Sequence, residues 1–193
     1  MTVWFRQLPG EMRWVFILWI GVLVLVCWEQ SYWWQVREDY LFGFLSLPFA
    51  LYVFYERLPQ IRKLLGPSPS AETLSKTLWV IPLLAALCFA GALVVVVLGA
   101  LIRFSQGHSQ PASFLFSLAF PVLVFSSVLL FARRLDARNL MPLCDRRKLI
   151  GLLAFPSLVW ILSTPILSFI EQKISLLLLR QVVTVVFFVF DSL

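Results

Sequence analysis

Six stretches of almost unbroken apolar sequence divide the chain, at residues 12–28, 40–55, 78–102, 112–132, 149–170 and 174–190. None shows the alternation of a half-buried strand. A helix needs roughly 20 apolar residues to cross the hydrocarbon core. The third, fourth and fifth runs meet that length outright. The second needs its flanking Tyr40 and Tyr55 to reach both interfaces. Backbone polar groups cannot stay unpaired in lipid, and short alternating β-barrel segments are absent, so the pattern predicts helices. The expected fold is all-α: a polytopic integral membrane bundle of five to six helices, forming one membrane domain over residues 1–193. Prolines inside the runs, Pro48, Pro82, Pro121, Pro156 and Pro165, each remove a helix hydrogen bond, which neighbouring helices are expected to cover. Ala86, Ala90, Gly91 and Ala92 are expected to let another helix approach the third run.

Composition strengthens this reading. The chain is 61% hydrophobic and 13% charged, against about half and about a quarter in soluble domains. A soluble globule has too much surface to hide that much apolar side chain. The net charge of +6 does not indicate nucleic acid, because the basic residues fall between apolar runs. Twelve of the 16 Lys and Arg lie in the N-terminus through Arg13, in 56–77 and in 133–148; three lie in 29–39, 103–111 and 171–173. The positive-inside rule then predicts a cytoplasmic N-terminus. Trp28, Trp33 and Trp34 are expected at the outer interface. The first run is not read as a signal peptide, because Trp28 and Glu29 stand where a small-residue cleavage site is required.

Candidate chemistry is sparse. No G-x-S-x-G, H-E-x-x-H or Walker A motif occurs. Cys27, Cys88 and Cys144 are widely spaced and suggest neither a zinc site nor a disulfide framework; Cys144 is expected in a basic loop. His108 is the one histidine, expected as a solvated residue of a polar outer loop. Glu38 and Asp39 read either as solvated caps of the second helix or as the lining of an entrance. No catalytic, cofactor-binding or metal-binding residue is assigned, and no cofactor is expected. The expected partner is the lipid bilayer.

One stretch is more specific. Trp33-Trp34 is followed by Asp39-Tyr40-Leu41-Phe42-Gly43-Phe44-Leu45, then Pro48, Tyr52 and Tyr55-Glu56-Arg57. This resembles the opening of the exosortase/archaeosortase family, where a tryptophan-bearing outer loop leads into a Tyr-x-x-Gly element. Leu41-Phe42 stands where many members have Ser-His. Phe155-Pro156, Thr164-Pro165-Ile166-Leu167, Leu177–Gln181 and Phe187–Leu193 resemble the family's later region. The resemblance implies the N-terminal portion of a membrane cysteine transpeptidase or peptidase, in a bacterial or archaeal inner membrane. Such enzymes process secreted proteins whose C-terminal sorting signal is a short motif, a transmembrane helix and a basic tail. The family's nucleophile, in a Cys-Ser-Gly-type motif, would lie beyond Leu193, so this chain by itself is expected to be inactive. Two alternatives are a non-enzymatic scaffold or assembly subunit and, less favoured, half of a small transporter. Transport asks for charges inside the spans, and the centres of the first five runs have none. The sixth run contains Arg180 and Gln181 near its middle and is expected to lie at the outer interface rather than cross.

Overall fold

The computed structural model describes residues 10–36, 43–66, 79–133 and 141–164. Among these residues the secondary structure is helical throughout, in five helices: α1 (Gly10–Val36), α2 (Gly43–Leu65), α3 (Val80–Gln106), α4 (Gln110–Phe131) and α5 (Leu143–Leu162). The run at 174–190, together with Glu38, Asp39 and Pro165, lies outside the described residues.

The helices outlast the apolar runs that predicted them. α1 has 27 residues, about 40 Å at 1.5 Å per residue, and continues eight residues beyond Trp28. The stretch 29–36, expected as loop, is therefore helical. α2 continues through Pro59 into the basic segment as far as Leu65. α5 begins at Leu143, so Cys144 and the basic residues up to Lys148 are helical rather than in a loop. In each case polar side chains at a helix end reach water or a neighbouring helix, so the backbone gains nothing by unwinding where apolarity stops. Pro82 falls in the first turn of α3, where its missing N–H has no intrahelical acceptor to lose.

α1, α3 and α4 are long and apolar enough to cross a membrane, with mean hydropathies of 1.9, 2.8 and 2.4. α2 carries Glu56, Arg57, Arg62 and Lys63 towards its C-terminus, and α5 carries Asp145, Arg146, Arg147 and Lys148 near its start. α4 is the centre of the bundle, packed against α1, α3 and α5, while α2 packs chiefly on α5. α1 buries Met12, Val15, Trp19, Val22, Val26 and Glu29, steps of three and four that make a heptad seam. α3 meets α4 through Ala85, Ala92 and Gly99, seven residues apart. A Cβ on Gly99 would lie 3.1 Å from the Phe116 ring, so the missing side chain is what lets the two helices approach. Of the small residues expected on this face only Ala92 lies there; Ala86, Ala90 and Gly91 are exposed. The opposite face of α3, with Leu83, Leu87, Val94, Val97, Leu101 and Phe104, is exposed. So continuous an apolar face fits lipid better than water.

Candidate functional site

The polar groups of the bundle gather at the end where α1, α3 and α5 finish and α2 and α4 begin. α3 turns into α4 through Gly107, His108 and Ser109. Gly107 adopts φ +74°, a conformation glycine enters without a Cβ penalty. Ser109 then caps α4, its hydroxyl accepting the Ala112 N–H at 3.4 Å. This short turn brings Arg103 and His108 over the C-terminal third of α1.

There they meet Glu29, whose side chain is only 3% exposed. Arg103 Nε lies 2.7 Å from Glu29 Oε2. Ser109 N–H donates to Glu29 Oε1 at 3.4 Å, so the carboxylate also faces the positive end of α4. His108 Nδ1 lies 3.3 Å from Glu29 Oε2, without the alignment of a hydrogen bond. Arg103 Nη2 is 2.7 Å from His108 Nε2. A guanidinium only donates, so Nε2 accepts and the imidazole proton sits on Nδ1, towards the carboxylate. In this arrangement His108 is neutral and its basic lone pair is occupied by Arg103. The Tyr32 ring stacks on the imidazole, 4.0 Å between centroids and 6° from parallel. Trp28, largely exposed, places its ring 6.0 Å from the Arg103 guanidinium carbon.

The next residue, Gln30, forms a second knot. Its Nε2 donates to Ser117 Oγ at 2.6 Å and to the Trp160 carbonyl at 3.0 Å. Its Oε1 accepts the Ser163 hydroxyl at 2.6 Å. Trp34 Nε1 donates to the Ser163 carbonyl at 3.4 Å. The same indole closes over Gly43 so tightly that a Cβ there would lie 2.0 Å from Nε1. A third tie lies deeper, where Trp19 Nε1 donates to Ser127 Oγ at 2.9 Å. α1 thus fastens α3, α4, α5 and the start of α2.

Two arginines counted as loop charge close helix backbones instead. Pro156 has no N–H for the Leu152 carbonyl, and Arg57 Nη1 supplies the donor, at 2.8 Å to Leu152 and 3.3 Å to Gly151. Arg146, 4% exposed, donates from Nη1 to the Leu129 carbonyl and from Nε to the Met141 carbonyl, both at 2.6 Å. It thereby satisfies the end of α4.

The expectation for His108 is corrected: it is three-quarters covered and held by α1 and α3 rather than solvated. Its carboxylate partner is not legible in sequence, because Glu29 is distant along the chain. A signal for Glu29 existed, since it continues the heptad seam of Val22 and Val26, where an apolar residue is expected. The tryptophans do not share one environment either: Trp28 is exposed, Trp33 half-buried and Trp34 buried. Cys27 is half-buried, and Cys88 and Cys144 are exposed, each on a different helix. Among the described residues no group of three or more His, Cys, Asp or Glu side chains is close enough to hold a metal ion. Chemically the centre is a buried ion pair closed by a neutral imidazole, able to fix the α3–α4 turn on α1. Comparison with known protein families, curated proteins and solved structures finds no match.

Proposed function

We propose that this chain is a multi-pass membrane scaffold in which all five described helices cross the bilayer, with the N-terminus in the cytoplasm. The carboxylate centre then lies at the extracytoplasmic face. We propose further that the scaffold is the N-terminal part of an exosortase-like cysteine transpeptidase or peptidase acting on proteins with C-terminal sorting signals.

The observation that carries the reading is where the motif residues meet. Trp34 of the tryptophan segment lies on Gly43 of the Tyr-x-x-Gly element and bonds to Ser163, beside Thr164 of the later proline region. Residues far apart in sequence that carry the resemblance thus converge at one end of the bundle. A coincidental string of aromatics, glycine and proline has no reason to converge. The proposed work of this end is positional: α1 sets the register of the other helices and presents Trp28 beside the Arg103–Glu29 pair.

A photo-crosslinking amino acid replacing the exposed Trp28 tests this in membranes that also contain a protein with such a sorting signal. The expected result is an adduct that disappears when the signal's motif and helix are replaced by an unrelated transmembrane helix. An adduct indifferent to that exchange, or none, sinks the sorting role and leaves the non-enzymatic assembly subunit as the better reading.

A further inference from the structure

α2 and α5 part over an open groove of about 510 Å³. Its α2 wall changes character along its length. Phe49 and Val53 come first, then Glu56 and Arg57, then Gln60, on one face of the helix at intervals of three and four residues. Phe49 meets Phe155 of α5 edge to face at 5.4 Å, closing the apolar end. The floor is open at Gly151, which has no side chain, and nothing lies within 4 Å of where its Cβ would be. Arg57 is fixed in the wall by its Nη1 bonds to the Gly151 and Leu152 carbonyls. Among the described residues its Nε and Nη2 have no acceptor.

We propose that this groove binds one anionic glycerophospholipid, an acyl chain against Phe49, Val53 and Phe155 and the phosphate at Arg57 and Gln60. The inference rests on the membrane reading above. Three observations select this occupant. The groove runs from apolar to polar in the order a lipid does from chain to headgroup. Its volume falls within the range of ligand sites, roughly 300–1,000 Å³, and accommodates part of one lipid. The helix ends beyond its polar end carry the exposed Arg62, Lys63, Arg147 and Lys148 against Glu56 and Asp145, a net positive charge, while Arg146 is turned inward to α4. A transmembrane peptide with a basic tail would bring like charge to that end. A free phosphate would leave the apolar half unused. Basic clefts between helices on the cytoplasmic side are where anionic headgroups gain most.

The test uses the purified chain in vesicles of three parts phosphatidylcholine to one part phosphatidylglycerol. Two photoactivatable probes share acyl chains and differ only in headgroup, one choline and one glycerol. Peptides covering the groove should take up the phosphatidylglycerol probe about fivefold more than the phosphatidylcholine probe, the increment of roughly one basic contact at a membrane surface. Gly151→Leu fills the floor without meeting a neighbour and should lower that labelling about fivefold. The exposed face of α3 should label equally with both probes in wild type and variant, which reports that the chain is inserted and intact. Gln60→Glu, at an exposed position, should also lower the phosphatidylglycerol signal, and it decides the matter if the first variant does not fold. Equal labelling by the two probes, or a signal indifferent to both substitutions, overturns the proposal. A groove unlabelled by either probe while α3 labels means another segment occupies it, which also overturns it. Loss of labelling on α3 as well overturns the membrane reading on which the groove depends.

Discussion

Glu29→Gln is the most informative single perturbation of this bundle. The carboxylate is 3% exposed and its partner Arg103 is 25% exposed, with 2.7 Å between Nε and Oε2. At an effective dielectric near 20 their gross attraction is about 6 kcal/mol. Desolvation of a buried ion costs several kcal/mol, so the net value of the pair is far smaller. Removing one partner is different, because it strands the other charge. Such losses run to about 3–5 kcal/mol for fully buried pairs. Arg103 keeps some contact with water, and glutamine can still accept from the Ser109 N–H. The expected cost of Glu29→Gln is therefore about 2 kcal/mol. Glu29→Gln combined with Arg103→Gln should cost less than the two singles together, by at least about 1 kcal/mol. The measurement is reversible unfolding in mixed micelles, followed by far-ultraviolet circular dichroism, for wild type, both singles and the double. Additivity within about 0.5 kcal/mol would show that the two side chains are not coupled and would refute the account of this end as an ion-paired lock.

Gly43→Ala should destabilise by about 2 kcal/mol or more, since its Cβ would occupy the Trp34 indole, whereas Gly21→Ala, with nothing within 4 Å, should raise stability slightly; the same unfolding measurement compares them. Gln30→Leu removes three buried hydrogen bonds, to Ser117, Trp160 and Ser163, while Ser117 keeps the Ser113 carbonyl and Ser163 the Trp160 carbonyl; it should cost about 1–3 kcal/mol, with faster proteolysis at the end of α5. Single cysteines at Gln35 and Ser68, after replacement of Cys27, Cys88 and Cys144, should differ in labelling by a membrane-impermeant reagent in intact cells: Gln35 labels and Ser68 does not, and the reverse pattern overturns the orientation. The triple replacement should leave the helical content unchanged, and neither form of the chain should cleave a sorting-signal peptide in a mass-spectrometric assay.

The sequence by itself determined that the described chain is helical and which segments are apolar enough for a bilayer. Those properties are local. Apolarity summed along a run fixes whether lipid or water is the better solvent, and lipid then forces the backbone to bond to itself. The helix ends were less legible. Glu29–Val36 and Leu143–Lys148 read as loops because polar residues commonly end a helix, whereas here water or neighbouring helices supply their partners. Arg57 and Arg146 read in sequence as topological charge, and only the placement of Pro156 and of the last turn of α4 beside them makes them backbone donors. The meeting of Glu29, Arg103 and His108 was likewise out of reach of the sequence. A carboxylate, a guanidinium and an imidazole become one centre only once α1 lies against α4, because their attraction depends on distance in space and on the exclusion of water, and neither is a property of sequence position.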